Sequence, residues 1–342
     1  MQESSLGEAE TFDYVIVGSG AAGSILANRL TEDAGVTVCL LESGPSDWHP
    51  YLHIPAGFVR KMFDPSVTWP FTTEPTEQTN GRRIPVPQGR TLGGSTSING
   101  LVYNRGQAQD FDDWAAAGNP GWSYNEVLPY FKKTERRIGA GDDTLRGRAG
   151  LLPVTDIDWF HPICEAFIEG AQQFGIPRNP DYNGATQQGV GYFQRTIDRG
   201  LRMSTARTFL RPAQRRKALS VRTHSQATQV VFEGKRAVGV KYRRGGAQGA
   251  EHAVRARREV ILCAGAINTP RLLQLSGIGP AEQLQALGLP VVRPLAGVGA
   301  HLKDHFSVRV VGHVRRGSAV TINELARVPR LWAQAARWLA GK

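Results

Sequence analysis

The chain has 342 residues, a formal net charge of +11 and an apolar fraction of 41%. That length suits about two domains, and the composition is that of a soluble globular protein rather than a disordered or fibrous one. No apolar run reaches the roughly 18 residues that a membrane-spanning helix needs.

The N-terminal stretch MQESSLGEAE is polar and acidic, with neither the basic n-region nor the apolar h-region of a secretory signal. Cys39, Cys164 and Cys263 are too few and too scattered for a disulfide framework, and Cys39 and Cys263 read as buried, inert thiols. No Cys/His spacing suggests a metal site. A reducing, cytoplasmic setting is expected. Arg and Lys are dense from Arg195 to Arg258. They are spread over several predicted strands and turns with no nucleic-acid-binding signature, so they read as a solvated Arg-rich surface rather than a nucleic-acid footprint. Contact with an anionic membrane surface stays open.

Residues 1–11 read as a disordered tail. A buried strand over Tyr14–Val17 then enters Gly18-Ser19-Gly20-Ala21-Ala22-Gly23, an apolar helix follows, and a second strand over Val36–Leu41 ends in Glu42. This is G-x-G-x-x-G in its strand–turn–helix–strand setting. Gly18 allows the turn, Gly20 allows close approach of a pyrophosphate, and Gly23 lets helix and strand pack. The helix N-terminus offers free N–H groups to phosphates. Glu42, 19 residues beyond Gly23, is placed to accept hydrogen bonds from ribose hydroxyls. The motif leaves NAD and FAD both open.

Residues 45–88 form a Pro-, Gly- and aromatic-rich excursion without a sustained period, whose Trp69 and Phe71 read as cover and core. Gly89–Gly106 is a second glycine-rich segment in which Gly93-Gly94, Ser95-Thr96-Ser97 and Asn99-Gly100 offer close backbone approach and small polar groups, a surface suited to a flavin. Helices are expected within 110–137, a glycine-rich linker over 140–150, and an amphipathic helix over 161–174. A strand is expected over 192–197 and a helix over 204–218. Strand-like runs at 219–224, 228–232, 237–242, 252–254 and 260–263 suggest a β-meander returning to the main sheet. A helix over 269–276 follows, with Thr269 as N-cap and Pro270 at its first position. The final helix-like stretch, 323–340, presents Leu325, Val328, Leu331, Trp332 and Trp338 on an apolar face that expects a partner.

Four segments carry a resemblance: the βαβ unit, Gly89–Asp112, Gly265–Gly279 and Gly297–His305. Together they resemble the glucose–methanol–choline (GMC) family of FAD-dependent oxidoreductases, over about residues 12–310, with a texture most similar to its choline-dehydrogenase-like branch. His301 stands where the family usually has Asn. The resemblance implies an α/β fold: a Rossmann-like FAD-binding domain with a β-meander, over 12–155 and 219–310, and the partial start of an α+β substrate domain, over 156–218 and 311–342. It implies FAD, with Ser19, Gly20, Ala21 and Ala22 at the pyrophosphate between Gly18 and Gly23, and Glu42 at the ribose with Ser43 beside it. Arg90, Gly93, Gly94, Ser95, Asn99, Gly100, Leu101 and Val102 would line the diphosphate and isoalloxazine. Val230 would hold the adenine through its backbone. Relatives that bind FAD covalently use a His at the place of Ile98, so non-covalent FAD is expected.

The resemblance further implies oxidation of an alcohol to an aldehyde by hydride transfer to flavin N5, as a dehydrogenase or an oxidase, with a quinone, another acceptor or O2 taking the electrons. A non-redox FAD lyase and a non-catalytic FAD-binding protein are the alternatives. The family's catalytic His near the C-terminus has no counterpart among the eight histidines, so no catalytic residue is assigned. The chain reads as the N-terminal, FAD-binding part of the family's architecture, a fragment or truncated product.

Overall fold

In a computed structural model of the chain, the described residues are 6, 8–246, 248–304, 310–315 and 328–340. The backbone divides into two units: Met1–Gly100 with Ser204–Asp304, and Leu101–Met203 with His305–Lys342. The chain thus leaves its first unit and returns, but the boundaries differ from the sequence reading. Residues 101–155 belong to the second unit, and 204–218 to the first.

The first unit is built on a six-stranded sheet. Its strands are β1 (Glu10–Val17) and β2 (Val38–Leu41), then β5 (Leu219–Arg222), β6 (Ser225–Glu233), β7 (Arg236–Arg244) and β8 (Glu251–Leu262). Between β2 and β5 the excursion forms a separate antiparallel hairpin, β3 (Thr68–Thr72) with β4 (Pro85–Gly89). The order across the sheet is β6-β7-β8-β1-β2-β5. β8, β1, β2 and β5 run parallel, whereas β6, β7 and β8 form the antiparallel meander. Helix α1 (Ala21–Leu30) follows β1 and helix α2 (Gly265–Leu275) follows β8.

Both faces of the parallel strands are covered, which is why they read as unbroken apolar runs. Val15, Val17, Cys39 and Leu41 point to one face and pack with Val230, Val240, Tyr242 and Leu272. Ile16, Val38 and Leu40 point to the other and pack with Ala27, Ala206, Leu210 and Ala213. That second core explains why 204–218 belongs here. The segment is helical as expected but shorter: a π-helix over Ala206–Leu210 continues without a break into the α-helical turn Arg211–Ala213 and ends there. The expected tail is also partly structured: β1 starts at Glu10, and Leu6 is buried against Val231 and Val238. Residues 1–5 and 7 lie outside the described residues.

Asp13 ties β1 to its neighbours. Its Oδ2 accepts from Thr37 N (2.8 Å) and Thr37 Oγ1 (2.9 Å), and Arg257 and Arg258 lie within ion-pair distance, at 3.2 and 3.5 Å. The Arg257 guanidinium, followed by the Thr37 donors, holds this carboxyl well below the usual carboxylate range. Its stabilisation is therefore complete above the unfolded value of about 3.9 and is lost as pH falls toward the depressed folded value. Asp13→Asn is expected to melt below wild type at about pH 7, with the gap narrowing steadily once the pH drops under about 4. A gap in melting temperature that is constant with pH would contradict this.

In the second unit, helices Ala108–Ala116 and Tyr124–Thr134 meet through aromatic rings, with Phe111 edge-on to Trp114 and Phe131 at 5.3 and 5.5 Å. Strands Glu135–Ile138 and Leu152–Thr155 pair in parallel. The stretch read as a linker, 140–150, carries Arg146, which is fully buried and ion-paired to Glu135 and Asp181. A helix spans Pro162–Gln173, close to its expected bounds. The expected strand over 192–197 is reduced to single bridges at Arg195 and the two-residue strand Ile197–Asp198. A helix spans Val328–Leu339. Its Trp332 is exposed, whereas Trp338 donates from Nε1 to Gly200 O at 2.9 Å. Leu325, the side chains of Val328 and Leu331, and His305 lie outside the described residues.

Candidate functional site

A cavity of about 500 Å³ opens in the first unit, a size in the ordinary range for small-molecule sites. It is lined by Val17, Leu41 and Leu262, at the carboxyl ends of β1, β2 and β8. Ligands of open parallel sheets bind at this edge. Gly18, Gly20, Ala21, Ala22, Glu42, Ser43, Gly94 and Ser95 also line it, so eight residues of the expected set share one wall.

The turn after β1 is shaped by sterics. Gly18 has φ +96°, and a Cβ there would run into the Cys263 carbonyl. Gly20 is the N-cap of α1 and supplies no side-chain cap, so the first turn faces the cavity uncovered. Across from it, Gly94 has φ +52°, and a Cβ built there would lie 2.8 Å from Gly20 Cα. The two glycines leave a slot that a side chain would fill.

Glu42 closes β2. Its Oε2 accepts from Ser19 N (3.0 Å) and Ser19 Oγ (2.6 Å), and its Oε1 accepts from Gly44 N (2.8 Å). Burial is the largest influence and pushes its carboxyl above the ordinary value, against the pull of the Ser19 and Gly44 donors and the Arg90 charge. Three acceptor positions are used of about four, which leaves room for a ribose hydroxyl. Ser43 Oγ is buried in the same wall with no hydrogen-bond partner. An orphaned hydroxyl and an under-used carboxylate are what a polyhydroxylated, phosphorylated ligand would satisfy.

The other expected residues are placed differently. Ser19 is buried and spends its donors on Glu42, behind the wall. Gly23 packs against the Gly18 carbonyl. Arg90 stands behind the lining with Nη2 on Pro65 O at 2.8 Å, and Gly93 supports the turn before Gly94–Ser97. Asn99 and Gly100 are exposed at the end of the first unit. Leu101 and Val102 belong to the second unit, where Val102 bridges to Arg195. Val230 needs correcting. Its side chain is in the core, and its N–H donates to Ser276 Oγ at 2.8 Å. The strand residues at the cavity are Ser225, Gln226 and Ala227. These lie three to five residues upstream of Val230, and the β6–β7 register slips beside them, between Ala227 and Gln229.

The sequence reading missed Trp69, Gln88, Asn268, Thr269 and Arg271, all in the lining. Thr269 and Pro270 lie inside α2 rather than at its start, because the helix begins at Gly265 directly after β8. No group of three or more His, Cys, Asp or Glu capable of holding a metal occurs among the described residues, and none of their histidines lines the cavity.

The sequence profile described as GMC oxidoreductase matches residues 12–307. The chain belongs to the GMC oxidoreductase family. Curated GMC relatives include an oxygen-dependent choline dehydrogenase of Rhizobium etli, 41% identical over 96% of this chain and 59% of the relative. Another, of Yersinia pseudotuberculosis, is 45% identical over 87% of this chain and 53% of the relative. The chain thus spans a little over half the length of these GMC proteins. Among solved structures, pyridoxine 4-oxidase from Mesorbium loti superposes with a TM-score of 0.78 at 34% identity, over 83% of this chain and 55% of that one. An FAD-dependent oxidoreductase from Chaetomium thermophilum superposes with a TM-score of 0.79 at 34% identity, over 84% of this chain and 51% of that one. The mixed α/β fold with a parallel-strand sheet is therefore the GMC FAD-binding fold. No helix among the described residues is long and apolar enough to cross a membrane.

Proposed function

We propose that this chain seats FAD non-covalently and forms the cofactor-binding part of an oxidoreductase that converts an alcohol to an aldehyde. The observation that carries the reading is the wall built by Glu42, the uncapped first turn of α1 and the Gly20–Gly94 slot at the carboxyl edge of the sheet. Glu42 would hold the adenosine ribose, Ser43 Oγ would gain a partner, and the Gly18–Gly23 turn with Gly94 and Ser95 would take the diphosphate. When bound, FAD supplies a hydride acceptor at its N5.

Ile98 supports non-covalent binding. It is 3% exposed and packs with Leu52 and Val67, so the side chain at the place of a covalent attachment is an aliphatic core residue. The substrate is a small alcohol, by kinship with the choline dehydrogenases and oxidases above, and the electrons pass to a quinone, another acceptor or O2. The purified chain is expected to be yellow, and acid precipitation should leave all the flavin in the supernatant. Flavin in the pellet would defeat the non-covalent assignment, and a folded chain that takes up no FAD would defeat the whole reading. Glu42→Gln removes a charged acceptor and is expected to weaken FAD binding by about tenfold or more in a fluorescence titration, the scale of a hydrogen bond to a charged group.

A further inference from the structure

The Gly20–Gly94 slot is walled by backbone, and glycine backbone is too permissive to hold a gap at one width by itself. The width is set from behind the lining. One tie is main-chain: Gly93 N donates to Ser19 O at 2.9 Å. The other runs through side chains. Thr96 Oγ1 donates to Gly93 O at 2.6 Å, which leaves its lone pairs to accept. Thr205 meets them twice, with its N–H at 3.1 Å and its hydroxyl at 3.0 Å. The same hydroxyl lies 3.4 Å from Gly20 O and shares its one proton between the two oxygens. Thr205 therefore reaches both glycine turns, one on each side of the slot.

Thr205 is 4% exposed and lies outside the cavity lining. It heads a segment that is fastened along α1. Thr205 stands beside the N-cap Gly20, Asn28 Nδ2 donates to Phe209 O at 2.7 Å, and Arg216 Nη1 donates to Thr31 Oγ1 at 3.0 Å beyond the helix end. Residues 205–216 thus splint α1 from its first turn to its last. The segment also backs the second glycine turn, because a Cβ built on Gly93 would lie 3.1 Å from Ala206 Cβ. Its π-helix over Ala206–Leu210 is a rare conformation that occurs frequently at functional sites. A neighbouring threonine gives the contrast. Thr208 Oγ1 donates to Ser204 O at 2.9 Å, the ordinary use of a threonine hydroxyl within a helix. Thr205 directs its hydroxyl away from its own segment, to the two turns.

We propose that Thr205 is a positioning residue for a diphosphate. It holds the first turn of α1 and the Gly94–Ser97 turn at the separation that a diphosphate needs, and it acts through Gly20 and Thr96 without touching the ligand. This rests on the reading of the cavity as an FAD site. Thr205→Val keeps the branched shape and orphans no group. Thr96 Oγ1 keeps Gly93 O and the main-chain N–H of position 205, and Gly20 O keeps Ser24 N at 3.0 Å.

The test is calorimetric titration of the whole chain, stripped of flavin, with ADP and with adenosine, which differ only in the diphosphate. The unmodified chain is expected to prefer ADP by about tenfold or more, the scale of hydrogen bonds to a charged group. Thr205→Val should weaken ADP about fivefold, the scale of one neutral hydrogen bond, and leave adenosine unchanged. Thr96→Val cuts the same relay from its other end and should lower the ADP/adenosine ratio alike. Thr205→Ser, which keeps the hydroxyl, and Thr208→Val, which removes one that serves only its own helix, should both keep the ratio of the unmodified chain. A ratio unchanged in both Thr205→Val and Thr96→Val overturns the role of Thr205 alone. So does a loss that Thr205→Ser shares or that strikes adenosine equally, because general loosening of the fold would do the same. A chain that binds FAD yet shows no preference for ADP over adenosine overturns the diphosphate slot and Thr205 with it. A folded chain that binds neither ADP nor FAD overturns the FAD reading itself.

Discussion

Replacing Glu135 by alanine is expected to destabilise the second unit by about 3–5 kcal/mol, the usual cost of removing one partner from a buried ion pair. Glu135 is 0% exposed and pairs with Arg105 and Arg146, which are 4% and 1% exposed. Arg146 Nε reaches Glu135 Oε1 at 2.9 Å, and Arg146 also pairs with Asp181. Gln194 Nε2 donates to Asp181 at 3.0 Å, Asn183 Nδ2 donates to Gln194 Oε1 at 2.8 Å, and Arg105 N donates to Asn183 Oδ1 at 2.7 Å. Without Glu135, two guanidinium groups that cannot deprotonate lose their shared counter-charge inside the unit. Glu135→Gln keeps the shape and should cost less. Changing Glu135, Arg105 and Arg146 to methionine together with Asp181→Asn should recover much of the loss, because Asp181 is the remaining ion-pair partner of Arg146 and this set leaves no charge stranded. Urea unfolding followed by tryptophan fluorescence reads this, since Trp114 and Trp122 lie in the same unit at 5.7 Å. A Glu135→Ala midpoint no lower than that of an exposed control, Glu77→Ala, would refute the account.

That network shows what local patterns do not carry. Residues 140–150 read as a linker because they are rich in glycine and charge, yet Arg146 is among the most deeply buried side chains. Nothing in its neighbours announces Glu135 or Asp181, which lie 11 and 35 residues away. By contrast, β1, α1 and β2 were legible because strand, turn and helix each obey a short-range rule, and Glu42 sits at a fixed distance from the turn. The meander was legible for the same reason. Its fine register was not: a bulge at Thr228 depends on the pairing with β7, and the strand meets the cavity at Ala227 whereas Val230 lies in the core. The domain boundaries failed on packing as well. Ala206, Leu210 and Ala213 belong to the first unit because they fill the face under Ile16 and Leu40. Trp69 read as a cover residue, and nothing in the sequence placed Arg271 beside it.

The second large effect is expected at Gly23. A Cβ there would fall under 3.0 Å from the Gly18 carbonyl oxygen and 3.3 Å from Cys263 Cβ. Two effects compete in Gly23→Ala. Alanine is the better helix former by about 1 kcal/mol. Against that, the methyl must push α1 off the end of β1, and overpacking of this kind costs about 1–3 kcal/mol, occasionally more. The obstructing atom is backbone, which cannot swing aside as a flexible side chain would, so the steric term should win. The displacement also strikes the site. Ser24 Oγ donates to Ser19 O at 2.7 Å, and Ser19 in turn donates to Glu42, so moving the start of α1 disturbs the ribose and diphosphate positions together. Most of the steric cost falls on stability, with or without cofactor, and FAD affinity should drop by about tenfold, the scale of one disturbed hydrogen bond to a charged group. The control is Gly170→Ala in the helix Pro162–Gln173, where a Cβ meets nothing within 4 Å. That variant should leave FAD binding unchanged and raise stability by up to about 1 kcal/mol. The same chemical change with opposite outcomes at the two positions would isolate the close packing at Gly23. Equal outcomes would mean that α1 tolerates displacement and that the turn, rather than its packing, determines cofactor affinity.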